Sequence, residues 1–378
     1  MKDIVIAGYA RSPFHFAIKG GLAKVRPDDL AAHAVKGLIE RTGVNPDDIE
    51  DLILGCAFPE GEQGFNMARL VVLIAGLPIS VAGTTVNRFC GSSMQAIHMA
   101  AGAIQMGAGD VFICAGVESM SRIPMSGFNP MPNPALCQSM PAAYMSMGET
   151  AENVGREYQI SREEQEAFAV ASQQKAGDAQ SQGRLADEIV PIEVNGGTID
   201  ADGCLRPTTD LEGLAGLKLA FDENGSVTAG TASPLTDGAA ATLVCSSDYA
   251  KANGLEPIAR IVSFAVSGCK PETMGLGPIF SSRKALARAG ISATDLDVIE
   301  INEAFATQSI ASIRDLELDS TKVNIDGGAI AIGHPLGATG ARITGKAAQV
   351  LQREGGRYAL STQCIGGGQG IATVLEAA

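Results

Sequence analysis

The sequence predicts an α/β fold in which strands and helices alternate through two halves of similar length. Apolar runs such as DIVIAGYA (3–10) and DVFICAGVESM (110–120) predict buried strands, and helical segments separate them. The same alternation resumes after residue 238, which favours a duplicated α/β unit. Apolar strands joined by helices are typical of a mostly parallel sheet covered on both faces.

The elements of the first half follow from periodicity and from residues that end helices. Leu30, Ala34 and Leu38 form one apolar stripe, so an amphipathic helix is predicted over 28–44. Further strands are predicted at 48–58 and 84–90. Further helices are predicted at 66–78, which ends in Gly-Leu-Pro, and at 91–109, which is almost entirely apolar.

Residues 119–237 differ in composition from the alternating segments around them. The stretch 121–147 is rich in Pro, Met, Asn and Ser, and 149–190 is polar and helical. Ser161 followed three residues later by Glu164 predicts a helix start through a capping box. We therefore predict an inserted layer over the sheet. The predicted units are an N-terminal half (1–118 with 238–250), the insert (119–237) and a C-terminal half (251–378).

The C-terminal half carries two glycine-rich blocks. Its predicted strands include 258–268 and the run DVIEI, and its predicted helices include 305–316 and 341–354. GGAIAIGHPLGATG (327–340) contains His334, and CIGGGQG (364–370) begins with Cys364. Glycine at this density indicates that a ligand comes close to the main chain.

Composition excludes several classes of function. A net charge of −14 argues against a nucleic-acid partner, which needs basic surface. The longest apolar stretch (70–83) is broken by Gly and Pro and is too short for membrane insertion, and no signal peptide is expected. None of the eight cysteines forms a CxxC pair, so no metal site is expected. Reduced cysteines indicate a cytoplasmic protein.

Cys90 lies where a strand is predicted to end and an apolar helix to begin. A thiol there faces unpaired N–H groups and the partial positive charge of the helix, which favour the thiolate. A buried structural cysteine is the alternative, because free cysteines are often buried. His334 has a similar pair of interpretations, a core histidine or a functional one, and its neighbours Gly333, Pro335 and Gly337 favour the second.

Cys364 precedes Gly366 and two further glycines, whose bare amides suit an oxyanion-binding corner. A phosphate-binding loop is the alternative, but no GxxxxGK[ST] motif occurs and no GxGxxG follows an N-terminal strand. Asn302 and Glu303 follow an apolar strand, where polar side chains commonly face a ligand crevice or cap a helix. A nucleophilic thiolate, a second thiol, an imidazole and oxyanion-binding amides form a coherent set.

Four blocks, in this order, resemble the thiolase family: VNRFCGSSMQAIH, INEAFA, NIDGGAIAIGHPLGATGARI and CIGGGQGIA. The resemblance extends over essentially the whole chain and includes MGETAENV (147–154) and TAGTASPLTDGAAA (228–241). It implies an α/β fold with duplicated halves in a layered α/β/α/β/α arrangement and an inserted loop domain.

The resemblance also implies a role for each candidate residue. Cys90 is then the acylated nucleophile, and His334 activates it and helps to hold the substrate's thioester oxygen. Cys364 is the acid and base that protonates the departing acetyl-CoA enolate and deprotonates incoming CoA. Asn302 positions a water in a first oxyanion hole, and the backbone N–H groups of Cys90 and Gly366 form a second one.

CoA and acyl-CoA are substrates in this resemblance, and no permanently bound cofactor, redox group or metal is implied. The CoA-contacting candidates are Ser233 and Phe221 at the pantetheine, Arg206 at the nucleotide, and Ser146 and Met147 at the start of the MGETAENV block. Homodimers or homotetramers are implied as well.

The motifs are most similar to degradative 3-ketoacyl-CoA thiolases of fatty-acid β-oxidation. The short-chain biosynthetic type has a histidine where this chain has Ser146, so an acetoacetyl-CoA thiolase, an acetyl-CoA C-acetyltransferase, is the alternative. A ketosynthase shares the architecture but lacks a second catalytic cysteine, so Cys364 argues against it. A catalytically silent acyl-CoA carrier is the other alternative, and the complete residue set argues against it.

Overall fold

Strands from both halves of the chain join into one mixed sheet, which the computed structural model describes for residues 2–378. The strands are β1 Ile4–Arg11, β2 His15–Phe16, β3 Asp51–Gly55, β4 Ala82–Val86, β5 Val111–Ser119, β6 Ile192–Val194, β7 Gly197–Ile199, β8 Thr236–Ser246, β9 Ala259–Gly268, β10 Val298–Ile301, β11 Tyr358–Ile365 and β12 Gln369–Glu376.

Twelve helices accompany these strands in residues 2–378. They are α1 Pro27–Thr42, α2 Met67–Ile74, α3 Ser92–Gln105, α4 Pro134–Ser139, α5 Met147–Glu157, α6 Arg162–Ser181, α7 Leu211–Ala215, α8 Ser247–Ala252, α9 Gly277–Ala289, α10 Ala306–Asp315, α11 Ala329–Ile332 and α12 Leu336–Glu354. None of the helices in this part of the chain is both long and apolar enough to cross a membrane.

The two halves repeat one pairing pattern. The order of the main sheet is β4-β3-β5-β8-β1 in the first half and β9-β12-β11-β10 in the second. Neighbours β3 and β5 are parallel, as are β10 and β11, whereas β8 and β12 run antiparallel to both of their neighbours. A short antiparallel contact between β1 and β9 joins the halves. The predicted duplicated α/β class is therefore confirmed, but the last strand of each half opposes the expected parallel direction.

Helices α3 and α12 form a middle layer between the two half-sheets. Apolar side chains of both helices pack in one cluster with residues from strands of each half, such as Ile6 on β1 and Val298 on β10. The outer helices α1 and α2 cover the opposite face of the first half, where Val5 points away from its neighbour Ile6. Helices α9 and α10 cover the second half in the same way. Alanine, valine, isoleucine and leucine dominate all three clusters, as the low aromatic content predicts.

Most predicted elements differ from the structure only at their ends. The single helical region predicted at 149–190 contains two helices, α5 and α6, because residues 158–161 leave the helical path. The predicted capping box is present, since the Ser161 hydroxyl accepts from the Glu164 N–H and the Glu164 carboxylate accepts from the Ser161 N–H. Helix α12 begins at Leu336, five residues earlier than predicted. The division of the chain into three domains remains a prediction.

Buried ion pairs fasten the segment between β5 and β8 to the sheet. Arg11, on β1, contacts Glu188 at 2.8 Å and Asp202 at 2.6 Å, and all three side chains are almost fully buried. Lys346, on α12, lies 3.8 Å from the Glu188 carboxylate. Removing one partner leaves an uncompensated charge in the interior, which is strongly destabilising. These pairs therefore couple the segment to the folding of both halves.

The middle-layer helices approach each other at glycine. A Cβ added to Gly340 of α12 lies 2.3 Å from the backbone nitrogen of Met94 in α3, whereas a Cβ added to Gly102 of α3 meets no atom within 4 Å. A methyl group at position 340 therefore pushes the two helix backbones apart. The same group at position 102 has open space.

We expect Gly340→Ala to destabilise the protein by about 1–3 kcal/mol, because overpacking at a backbone contact cannot be relieved by a side-chain rotation. The control, Gly102→Ala, should raise stability by about 0.5–1 kcal/mol through the better helix propensity of alanine. Urea unfolding followed by circular dichroism measures both free energies of unfolding. Equal free energies of unfolding for the two variants contradict a close approach of the α3 and α12 backbones at Gly340.

Candidate active site

Cys90 and His334 occupy equivalent places in the two halves. Each lies two residues before a middle-layer helix, Cys90 before α3 and His334 before α12. Because these helices pack side by side, their amino-terminal ends bring the two side chains to one region. Gly91 lets the segment that carries Cys90 approach β11 as well, since a Cβ there lies 2.6 Å from the Cδ1 of Ile365.

Burial dominates the electrostatics of the Cys90 thiol. The side chain is 9% exposed, and desolvation raises its pKa to about 12. The backbone N–H groups of Gly366 and of Cys90 itself face the sulfur and lower this pKa, as expected for a helix amino terminus, but they do not offset the burial. The resting sulfur is therefore a protonated thiol, and it needs a base to become a nucleophile.

His334 is a neutral base held on three sides. Burial, with a smaller contribution from Arg342, lowers its pKa to about 3. Its Nδ1 lies 2.6 Å from the Thr339 hydroxyl, its backbone N–H donates to the Thr236 hydroxyl at 3.0 Å, and its Nε2 lies 3.3 Å from the Asn302 Nδ2. With Asn302 as donor, Nε2 accepts and Nδ1 carries the proton. Nε2 is then the nitrogen available to receive a proton.

Cys364 stands at the end of β11, next to the glycine turn that joins β11 to β12. Burial and the neighbouring Cys90 raise the pKa of its thiol well above the usual value. Gly367 and Gly368 have φ values of 79° and 86°, a conformation that favours glycine. The turn leaves the Gly366 N–H directed at Cys90. The two thiols, Gly366 and Met147 therefore meet in one apolar environment.

The adjacent residues Asn302 and Glu303 have different surroundings. Asn302 contacts His334, and its Oδ1 is buried without a hydrogen-bond partner in residues 2–378. Glu303 turns into the protein, where it accepts from the Ser172 hydroxyl at 2.6 Å and the Ile330 N–H at 3.1 Å. Asn302 therefore fits the prediction of a polar side chain that faces a ligand crevice at the end of a strand. The Glu303 carboxylate instead connects helix α6 to the short helix α11, which precedes His334.

Glu118 is a buried carboxylate of the site that the sequence analysis missed. It follows the apolar run of β5, and a polar residue at the end of a strand is the signal that could have identified it, as it identified Asn302. Its oxygens accept from the N–H groups of Ala57 and Gly337 at 2.8 and 3.0 Å and from the Gln63 amide at 2.7 Å. Burial still raises its pKa. The carboxylate connects the end of β3 to the first turn of α12.

The five CoA-contacting candidates fall into two groups. Phe221 is 44% exposed, packs edge-to-face on Phe305 with 5.8 Å between ring centroids, and contacts Gly148 beside Met147. Ser233 donates to the carbonyl of Ala304.

Ser146 caps helix α5 through Glu149 and is exposed. Phe221, Ser233 and Met147 therefore lie against the loop that follows Asn302, in or beside the cluster that holds Cys364, and Ser146 adjoins Met147 in the chain. Arg206 lies apart from this group, with its guanidinium 4.8 Å from the Phe16 ring and its N–H donating to Gln173. Residues 2–378 contain no cluster of His, Cys, Asp and Glu that could hold a metal ion.

Comparison with known proteins identifies the family of the chain. The family model "Thiolase, N-terminal domain" matches residues 4–248, and "Thiolase, C-terminal domain" matches residues 255–377. A 3-ketoacyl-CoA thiolase of Bacillus subtilis (strain 168) is 47% identical, with 100% of each chain covered. The 3-oxoadipyl-CoA/3-oxo-5,6-dehydrosuberyl-CoA thiolase of Escherichia coli (strain K12) is also 47% identical at full coverage of both chains.

Solved structures show the same likeness. The crystal structure of human mitochondrial 3-ketoacyl-CoA thiolase superposes with a TM-score of 0.92 at 39% identity, covering 100% of this chain and 99% of the human one. The structure of the human enzyme in complex with CoA gives a TM-score of 0.93 at 38% identity, covering 100% and 98%. Domain matches, sequence identity and fold thus lead to one conclusion: the chain belongs to the thiolase family.

Proposed function

We propose that the protein is an acetyl-CoA C-acyltransferase that cleaves 3-oxoacyl-CoA with CoA to acetyl-CoA and a shortened acyl-CoA. The observation that carries this proposal is that the thiols of Cys90 and Cys364 are neighbours. The Cys90 sulfur lies beside the Gly366 N–H, and both thiols are packed among apolar residues. One thiol alone suits a condensing enzyme. A second thiol beside it supplies the proton that a departing carbon needs.

The proposed first step breaks the bond between C2 and C3 of the substrate. His334 Nε2 takes the Cys90 proton, and the sulfur attacks the C3 ketone. The electron pair of the C2–C3 bond moves to C2, and Cys364 donates its proton there, which releases acetyl-CoA. The oxygen at C3 develops negative charge beside the N–H groups of Cys90 and Gly366. Cys90 then carries the shortened acyl group as a thioester.

The second step transfers that acyl group to CoA. The Cys364 thiolate takes the proton of the CoA thiol, and the CoA sulfur attacks the acyl carbon. The Cys90 sulfur leaves with its electron pair and recovers the proton from His334. The Asn302 Oδ1, which has no hydrogen-bond partner within residues 2–378, accepts from a water in this proposal. That water and the neighbouring His334 then both face the substrate's thioester oxygen. Each enzyme group ends in the protonation state in which it began, and no atom is oxidised or reduced, so the reaction requires no redox group.

We further propose that the insert, residues 119–237, binds CoA. Phe221 and Ser233 support the pantetheine assignment, because both lie against the loop between Asn302 and Phe305. Ser146 and Met147 lie at the start of α5, near Gly366, where the acyl end would be. Arg206 is the nucleotide-contacting candidate, and its stacking on Phe16 leaves the guanidinium positive charge intact for an anionic group.

The proposed setting is fatty-acid β-oxidation in the cytoplasm. The names of the relatives and eight free cysteines support it.

We propose a homodimer that pairs two copies of β4, because within residues 2–378 this strand pairs only with β3 and exposes its outer edge. Exposed Phe128 and Met131 support the association of two dimers into a homotetramer.

The roles of the two thiols separate in single variants. Incubation with acetoacetyl-CoA without free CoA, followed by peptide mass mapping, should show an acyl adduct on Cys90 and none in Cys90→Ala. Cys364→Ala should still accept an acetyl group from acetyl-CoA on Cys90, while thiolysis falls by about 10²–10⁴-fold, as for loss of a general acid. Absence of the adduct in the parent protein supports the carrier alternative. Full thiolysis in Cys364→Ala contradicts a two-thiol site.

The charge states of the site predict its response to pH. Because the pKa of the Cys90 thiol is about 12, its thiolate fraction should rise about tenfold per pH unit through the neutral and mildly alkaline range. The pKa of His334 is about 3, so its charge stays constant over that range. The rate of Cys90 alkylation by iodoacetamide should therefore increase steadily with pH in the free enzyme. A plateau around neutral pH contradicts this and indicates a thiolate–imidazolium pair.

Substrate length separates the proposal from the short-chain alternative. Ser146 is smaller than the histidine of the biosynthetic type, so we expect thiolysis of medium- and long-chain 3-oxoacyl-CoA at kcat/KM values at least equal to that for acetoacetyl-CoA. A series of 3-oxoacyl-CoA substrates of increasing length measures this preference. Activity confined to acetoacetyl-CoA favours an acetyl-CoA C-acetyltransferase.

A further inference from the structure

Two hydrogen bonds join the segment around Cys90 to the strands on either side of the glycine turn. The Gln363 side chain donates its Nε2 hydrogen to the carbonyl of Cys90. The Arg88 Nη1 donates to the Gln369 Oε1 at 2.8 Å. Arg88, Gln363 and Gln369 are called the bridging residues below. None of them is a proton carrier in the proposed reaction.

Two of the bridging residues, Gln363 and Gln369, lie before and after Gly366 in the chain. Gln363 is fully buried on β11, three residues before Gly366. Gln369 begins β12 and pairs with Ile365, so it closes the turn Gly366–Gly368. One hydrogen bond therefore fixes the strand that enters the turn, and the other fixes the strand that leaves it.

The Cys90 side of the bridge also needs support. Phe89 has a φ of 42°, a left-handed conformation that is uncommon outside glycine and persists when surrounding contacts hold it. The Arg88 guanidinium is itself oriented, because its Nε donates to the Gln95 Oε1 on α3 at 2.9 Å. Only the amide nitrogen of Gln363 can donate to a carbonyl, which determines the orientation of that side chain.

We propose that the bridging residues are positioning residues that hold the Gly366 N–H at the Cys90 sulfur. The inference rests on the proposed acyl transfer and names what sets its oxyanion geometry. The two N–H donors belong to different halves of the chain, so no single secondary-structure element determines the distance between them. A three-glycine turn has little stiffness of its own. Oxyanion donors act only within a few tenths of an ångström of their proper place.

Two reactions of the same sulfur separate positioning from general damage. Acylation of Cys90 by acetyl-CoA passes through a tetrahedral oxyanion and needs the Gly366 N–H. Alkylation by iodoacetamide is a displacement in which iodide leaves with its electron pair and the thiol proton passes to the buffer, so no oxyanion forms. A residue that only positions the oxyanion donor therefore affects the first reaction strongly, and the second only as far as the Gly366 N–H stabilises the Cys90 thiolate.

The experiment compares both rates at Cys90 by peptide mass mapping in Gln363→Leu, Arg88→Met and Gln369→Leu. The matched control is Thr242→Val, because Thr242 is also fully buried on a strand of the main sheet, donates one side-chain hydrogen bond to a carbonyl, that of Cys114, and lies outside the insert. We expect acylation to fall by about 10–100-fold in Gln363→Leu, less than the 10²–10³-fold typical of deleting an oxyanion donor. Alkylation should fall by a smaller factor than acylation in each variant, because the Gly366 N–H also lowers the pKa of the Cys90 thiol, and the control should retain both rates.

Each outcome has one meaning. Unchanged acylation in all three variants overturns the proposal, as does a parallel fall of acylation and alkylation, which marks a structural role. Arg88 is only partly buried, so Arg88→Met keeps the test valid if Gln363→Leu does not fold. The double variant of Arg88 and Gln369 should lose no more than either single one. A parent protein that is alkylated but never acylated refutes the proposed function and is distinguishable from failure of this inference.

Discussion

The close approach of α3 and α12 is the constraint on which the rest of the molecule depends. Glycine at Gly91 and Gly340 lets the helices approach each other and the hairpin of β11 and β12 at distances that a side chain does not permit. The amino-terminal ends of the two helices then converge, each preceded by one reactive side chain. A duplicated unit thus becomes an asymmetric site, because Cys90 and His334 occupy equivalent places with different chemistry.

Buried polar groups keep those ends in place. Glu118 accepts from donors in the loop after β3 and in the first turn of α12, and Glu303 accepts from donors in α6 and in the short helix α11 before His334. A carboxylate without such donors is costly in the interior, so each network forms completely or not at all. The resulting stiffness suits a site in which donors from separate elements must meet one oxygen.

The same burial determines the resting state of the reactive groups. Desolvation raises the pKa of both thiols and lowers the pKa of the imidazole, so all three groups are neutral in the free protein. In the proposed reaction, charge then develops beside N–H groups that already face the Cys90 sulfur. This arrangement places stabilisation in the transition state rather than in the free enzyme.

The sequence by itself determined the fold class, the repeated alternation of strands and helices, and the residues Cys90, His334, Asn302 and Cys364 as a chemical set. Periodicity and glycine-rich blocks are local properties, and they suffice for those conclusions. Only the tertiary structure decided the antiparallel course of β8 and β12, the inward turn of Glu303 and the contacts of Glu118, since each depends on residues distant in the chain. The bridge from Gln363 to Cys90 spans the two halves, and no local pattern encodes a hydrogen bond over that separation.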